Sequence, residues 1–363
     1  MLFFTGIHTA HAQTGQSNAE LANQYFGTGD YEKAIVYFEK FYDQDPFTAY
    51  PSYLKCLLAV KDYDKAEKLA RKQVKKFPGD YYTRTDIGMV LELKGEKDKA
   101  AKYFNELIKL LAADINQINM LGNAFIQKQH YDYALQTYTE GKKLLKGTYP
   151  FGFELAEVYE NQGKVEEMIN EYLDMINYQS GYLANVETIL QNKLANELTG
   201  NFADLLRTSL LRRIQKHPDE VEYSELLYWF FLQERDFESA FIQARGIDKR
   251  LSESGERILS LGRLSVTNED YVTAEKCFQY VVDKGQSFPL YISARIELIN
   301  AVNEKVTSSG TYTNSDLLKL EGDYQKTLSE LGKSAGTASL IRGYAHLEAF
   351  YLHKTSSAID LLN

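Results

Sequence analysis

Apolar residues recur along this chain at helical spacing, and the pattern itself returns every 32 to 34 residues. Five segments align: GDYEKAIVYF from Gly29, KDYDKAEKLA from Lys61, GEKDKAAKYF from Gly95, QHYDYALQTY from Gln129 and GKVEEMINEY from Gly163. Their sixth residues, Ala34, Ala66, Ala100, Ala134 and Met168, are separated by 32, 34, 34 and 34 positions. Further on, RDFESAFIQA and EDYVTAEKCF place Ala240 and Ala274 another 34 apart. A fixed period of this length marks a repeat array. Each unit predicts an amphipathic helix A, a short polar turn and a second helix B. The helix B alanine sits where two helices cross closely, and a bulkier side chain would overpack the crossing by about 1–3 kcal/mol. In helix A the small residues Ala22, Gly88, Gly122, Ala156 and Gly262 have the same use. Aromatics follow at i+3 in helix A (Tyr25, Phe125, Tyr159) and at i+4 in helix B (Phe38, Phe104, Tyr138, Tyr172, Phe278), so they share a face with the small residue. Pro46, Pro78 and Pro218 end helix B.

A small residue at repeat position eight, an aromatic at eleven, alanine at twenty, an aromatic at twenty-four and proline at thirty-two: this resembles the tetratricopeptide repeat. The resemblance covers residues 17–175 and 221–286. It implies an all-α fold, an α-α superhelix of about nine helical hairpins with the last incomplete. Two features depart from the family pattern: no tryptophan stands near position four, and Gly141 occupies a helix B position where alanine is usual. Between Met168 and Ala240 lie 72 residues, two periods, so 176–220 is expected to hide a degenerate repeat around TGNFADLLRTSLLRRIQKHP. The 84 residues from Ala274 to Ala358 exceed two periods by 16; the surplus is expected in a loop at 305–316, within a repeat at 287–336, followed by an incomplete repeat at 337–363. SAIDLLN offers no polar cap, so the chain is expected to continue beyond Asn363.

Composition narrows the function classes. Net charge is −9, with no dense Lys/Arg run, so a nucleic-acid partner is not expected. Lys72 to Lys76 alternates with apolar residues and reads as a solvated helix face. The most apolar stretch past the N-terminus, Leu226 to Leu232, is far short of the roughly 20 residues that span a bilayer. Residues 1–12, MLFFTGIHTAHA, end in Ala10-His11-Ala12, the pattern a signal peptidase cuts after. This points to an incomplete signal peptide and an exported protein of the bacterial periplasm or cell envelope, although the basic n-region is missing; if the match is chance the protein is cytoplasmic. Gln13 stands where a lipoprotein would need cysteine. Cys56 and Cys277 fall about six repeats apart, too far to bridge, and read as small buried hydrophobes.

No arrangement of chemical groups points to catalysis, a cofactor, a metal or a small-molecule substrate. Gly332-Lys333-Ser334 ends like a phosphate-binding loop, but Thr327 stands where the first glycine would be, and a helix precedes it. His346 and His353 could share a helix face without a third ligand. Glu166 and Glu167 are adjacent and point apart on a helix.

The resemblance implies a groove lined by helix A that receives a protein or peptide partner. By analogy, repeat positions two, five, nine and twelve face it. They give Tyr82, Thr85 and Met89 in the third unit, Asn116, Asn119 and Asn123 in the fourth, and Phe153, Glu157 and Glu160 in the fifth. Asparagine amides can hold a peptide backbone and aromatics supply contact area. Trp229, the only tryptophan, is either a groove anchor or packing within LLYWFF. The lysine–asparagine pair of chaperone-binding relatives is half present, as Ala19 and Asn23, so capture of an acidic tail is not expected. These features favour a non-enzymatic scaffold; the alternative is the recruiting or regulatory region of an enzyme whose catalytic domain lies beyond Asn363.

Overall fold

A computed structural model describes residues 18–196, 200–308 and 312–363. The signal-peptide reading at 1–12 lies outside these residues. All regular structure among them is helical, in consecutive antiparallel hairpins. Residues 18–27 (α1) pair with Tyr31–Gln44 (α2), Pro46–Ala59 (α3) with Tyr63–Lys76 (α4), Tyr81–Leu93 (α5) with Lys97–Lys109 (α6), Ile115–Gln127 (α7) with Tyr131–Leu144 (α8), and Gly152–Asn161 (α9) with Val165–Tyr178 (α10). Then come Leu183–Ala195 (α11) with Phe202–Lys216 (α12), Val221–Gln233 (α13) with Phe237–Leu251 (α14), Glu256–Thr267 (α15) with Tyr271–Asp283 (α16), Tyr291–Ser308 (α17) with Asn314–Leu331 (α18), and Ala338–His346 (α19) with Thr355–Leu362 (α20). That makes ten hairpins among the described residues, where about nine were expected. The chain forms two compact units, one ending at Glu171 and one from Tyr172 onward.

The turns inside seven of the hairpins follow directly from their sequence. Gly29, Lys61, Gly95, Gln129, Gly163, Arg235 and Glu269 all adopt positive φ, between 56° and 83°. The next residue's N–H bonds back to the helix A carbonyl five positions earlier, as Asp30 to Tyr25 (3.0 Å), Asp62 to Leu57 (2.9 Å) and Asp270 to Ser265 (2.9 Å). This is the Schellman closure. Asp30, Asp62, Asp236 and Asp270 then cap helix B, each accepting from the backbone N–H three residues on. One aspartate therefore ends one helix and starts the next.

The small residues sit at the helix crossings. Ala34, Ala66, Ala100, Ala134, Ala240 and Ala274 are completely buried. A Cβ on Gly122 would meet the Tyr138 ring at 2.3 Å, and one on Gly262 the Phe278 ring at 2.6 Å. Gly141 is no weak point: Ile118 and the Phe151 ring fill its side-chain space, with an added Cβ 2.6 Å from Ile118 Cγ2. Cys56 and Cys277 are free and buried, and burial pushes their thiols up to about 11 and about 12.

Of the loop expected at 305–316, the structure shows the two ends to be helical. Residues 305–308 belong to α17 and 314–316 to α18, each helix running 18 residues. Part of the surplus lengthens α17 and α18. Thr313 caps α18 by exchanging hydrogen bonds with Asp316, which accounts for the polar stretch that looked like an insertion. Residues 309–311 of that stretch lie outside the described residues.

Candidate functional site

In the first unit the helix A faces of α3 and α5, with Phe26 of α1 and the end of α7, enclose a cavity of about 650 Å³. Its apolar wall comes from Phe26, Pro51, Leu54, Leu58 and Met89, and Tyr82 stands beside them. Lys55 is exposed at its edge.

At its base lies a polar contact that joins three successive A helices. Asp86 of α5 is buried; its Oδ2 accepts the Tyr50 hydroxyl proton from α3 at 2.7 Å, and its Oδ1 pairs with Lys128 Nζ, just past α7, at 2.9 Å. A parallel bond runs from the Tyr81 hydroxyl to Gln117 Oε1 at 3.0 Å, again across 36 residues. Burial raises the Asp86 carboxyl above its ordinary range even though Lys128 and Tyr50 pull it down. Burial likewise raises the Tyr50 phenol, so it stays a donor. An ammonium has three donors. Lys128 spends one on Asp86 and lines the cavity, so it can offer another to a ligand carbonyl.

Of the groove residues expected from sequence, Tyr82 and Met89 line this cavity. Thr85 is completely buried and its hydroxyl donates to the Tyr82 carbonyl at 2.8 Å, which leaves it unavailable to a ligand. On α7, Asn116 and Asn123 are exposed and Asn119 is half-buried. Asn123 Oδ1 accepts the Tyr138 hydroxyl at 2.9 Å, while Asn119 Oδ1 is shut off from solvent without a partner. On α9, Phe153 is half-buried and Glu157 and Glu160 are exposed; neither these three nor the three asparagines of α7 join the cavity lining. Trp229, in the second unit, is half-buried beside the buried Leu226, Leu227 and Phe230.

Asp86, Tyr50 and Lys128 escaped the sequence reading. A signal was present: Asp86 is an acidic residue inside YYTRTDIGMVLEL, two positions from the crossing glycine, where an unpaired carboxylate would be costly. Gly332 caps the end of α18, so Gly332-Lys333-Ser334 is a helix terminus. No group of three metal-binding side chains occurs among the described residues, and no helix among them is long and apolar enough to cross a membrane.

The tetratricopeptide repeat family model matches residues 15–48 and 82–111, and both matched segments contribute to the cavity wall, through Phe26 and through Tyr82 and Met89. No curated protein matches the chain. Among solved structures it is similar to yeast Tom70, at 12% identity over 96% of this chain and 91% of that one, with a TM-score of 0.28. It is also similar to a tetratricopeptide repeat protein from Parabacteroides merdae, at 12% identity over 79% of this chain and 100% of that one, TM-score 0.28. A Naa15/Naa10 structure bound to HypK-THB matches at 14% identity over 96% of this chain and 58% of that one, TM-score 0.28.

Proposed function

We propose that this protein is a non-enzymatic scaffold that holds a protein partner by a peptide segment laid over the A helices of its first unit. The cavity between α3 and α5 carries this reading. Its apolar wall suits one buried side chain, and Lys128 and Tyr82 in its lining suit the flanking peptide backbone. A volume of about 650 Å³ lies within the ~300–1,000 Å³ of ordinary ligand pockets and accepts any natural side chain with part of its neighbours. The net charge of −9 supports a protein partner over a nucleic acid.

We further propose that it works in the bacterial periplasm or cell envelope, a reading supported by Ala10-His11-Ala12. Fractionation checks this independently: a cytosolic pool of the uncleaved protein would contradict it.

The binding claim is tested by affinity purification from envelope extract with the wild type and a Tyr82→Ala/Met89→Glu variant. The variant should lose the partner while keeping its thermal midpoint, since both residues are partly exposed. Equal recovery by both proteins would refute the groove.

A further inference from the structure

A second cavity, of about 700 Å³, lies in the second unit on the opposite kind of face, between the B helices α14 and α16 and the last turn of α17. Its cations are not equivalent. Lys276 Nζ pairs with Glu238 Oε2 at 2.6 Å, and Lys305 Nζ with Glu275 Oε2 at 2.7 Å. Arg245, between them, has no carboxylate within 4 Å among the described residues. Instead its guanidinium lies over two rings, 5.4 Å from the Phe241 centroid and 5.5 Å from that of Tyr280. Its Nε is buried without a hydrogen-bond partner. The ring of Tyr280 is itself fixed, because its hydroxyl donates to the buried Asp248 Oδ2 at 2.9 Å.

The two rings stand edge to face, 85° apart, and the guanidinium rests against both, which restricts its movement and leaves its Nη edge for a planar anion. Such an edge matches a carboxylate. The rest of the cavity decides the charge and shape of the ligand. Glu238, Glu275 and Asp283 also line it; with Lys276 and Lys305 paired to the two glutamates, three cations match three carboxylates, a balance that a monoanion disturbs less than a dianion such as phosphate. Beside Arg245 stand Ile242, 57% exposed, and Val272, 51% exposed, an apolar wall with nothing packed on it among the described residues. We propose that Arg245, held between Phe241 and Tyr280, forms a binding site for a monocarboxylate that carries an apolar body, either a free acid or the C-terminus of a peptide ending in apolar residues. The site is separate from the groove of the first unit, and neither depends on the other.

Isothermal titration of the full chain with octanoate and with acetyl-Ala-Leu-Val bearing a free C-terminus tests this, with octanamide as control. At least one carboxylate should bind, and octanamide should bind at least 10-fold more weakly, the loss of a charge-assisted contact. Octanoate alone binding identifies a free acid as the ligand; the peptide binding tighter identifies a C-terminus. Arg245→Gln should weaken binding about 10- to 100-fold. Val272→Glu, at an exposed position that leaves Arg245 and its rings intact, should weaken it as well by placing a carboxylate beside the ligand's. No carboxylate binding stronger than about 1 mM, or unchanged affinity in Arg245→Gln or for octanamide, would overturn the proposal.

Discussion

The ring of Phe104 occupies the space a side chain at Gly88 would need: an added Cβ would lie 2.1 Å from the ring's Cε1, and Phe104 is completely buried. Gly88→Ala should therefore cost about 1–3 kcal/mol through overpacking. Gly246, in the interior of α14, has nothing within 4 Å of its would-be Cβ, so Gly246→Ala should add about 0.5–1 kcal/mol by restricting the unfolded chain and favouring helix. Urea unfolding of the two variants measures both, and equal effects of one sign would contradict the crossing geometry.

Lys128→Met strands Asp86 in a buried site with only Tyr50 as partner. Breaking a buried pair from one side costs about 3–5 kcal/mol, and because both side chains keep slight solvent access the lower end is expected. Adding Asp86→Leu to that variant should recover stability, since no uncompensated charge then remains. Chemical denaturation of the two variants decides it; a double variant weaker than Lys128→Met would contradict it.

The same carboxyl sets a pH dependence. Its folded pKa is raised by burial, so the folded state holds this proton more tightly than the unfolded chain, where the value is about 3.9. The stability this provides is complete below that value and is lost as pH rises through the raised folded value. The stability of the wild type relative to Asp86→Asn should therefore fall as pH rises from about 4 toward neutrality. Urea midpoints of both proteins across that range check the sign, and a rising difference would refute it.

How far the sequence could be read depends on what each residue signals. Ala34, Ala66, Ala100 and Ala134 were legible because a helix crossing tolerates only small side chains and the period repeats the demand. The edges of 305–316 were hard to read because an N-cap such as Thr313 with Asp316 has the composition of a loop. Gly141 looked like a departure because its space is taken by two side chains distant in sequence, Ile118 of the facing helix and Phe151 at the start of the next hairpin. Counting repeat positions placed Tyr82 and Met89 on the cavity but also Thr85, since position five turns inward where α5 is covered on both sides. Asp86 went unread because its partners stand 36 and 42 residues away, and pairing across hairpins has no local pattern.

Cys56 and Cys277 should resist a thiol reagent in the native protein and react together on unfolding, since both are buried and their thiols are raised to about 11 and about 12. Timed labelling with and without denaturant measures this; rapid native labelling of either would show that its helix opens locally.

The most direct test of the groove places a photo-crosslinking amino acid at Met89, in the cavity wall, and in a second protein at Lys102, on helix B. Irradiation in living cells followed by mass spectrometry should give a discrete crosslinked partner from position 89 and none from position 102. Crosslinks from position 102 with none from position 89 would contradict the assignment of binding to the A helices of the first unit.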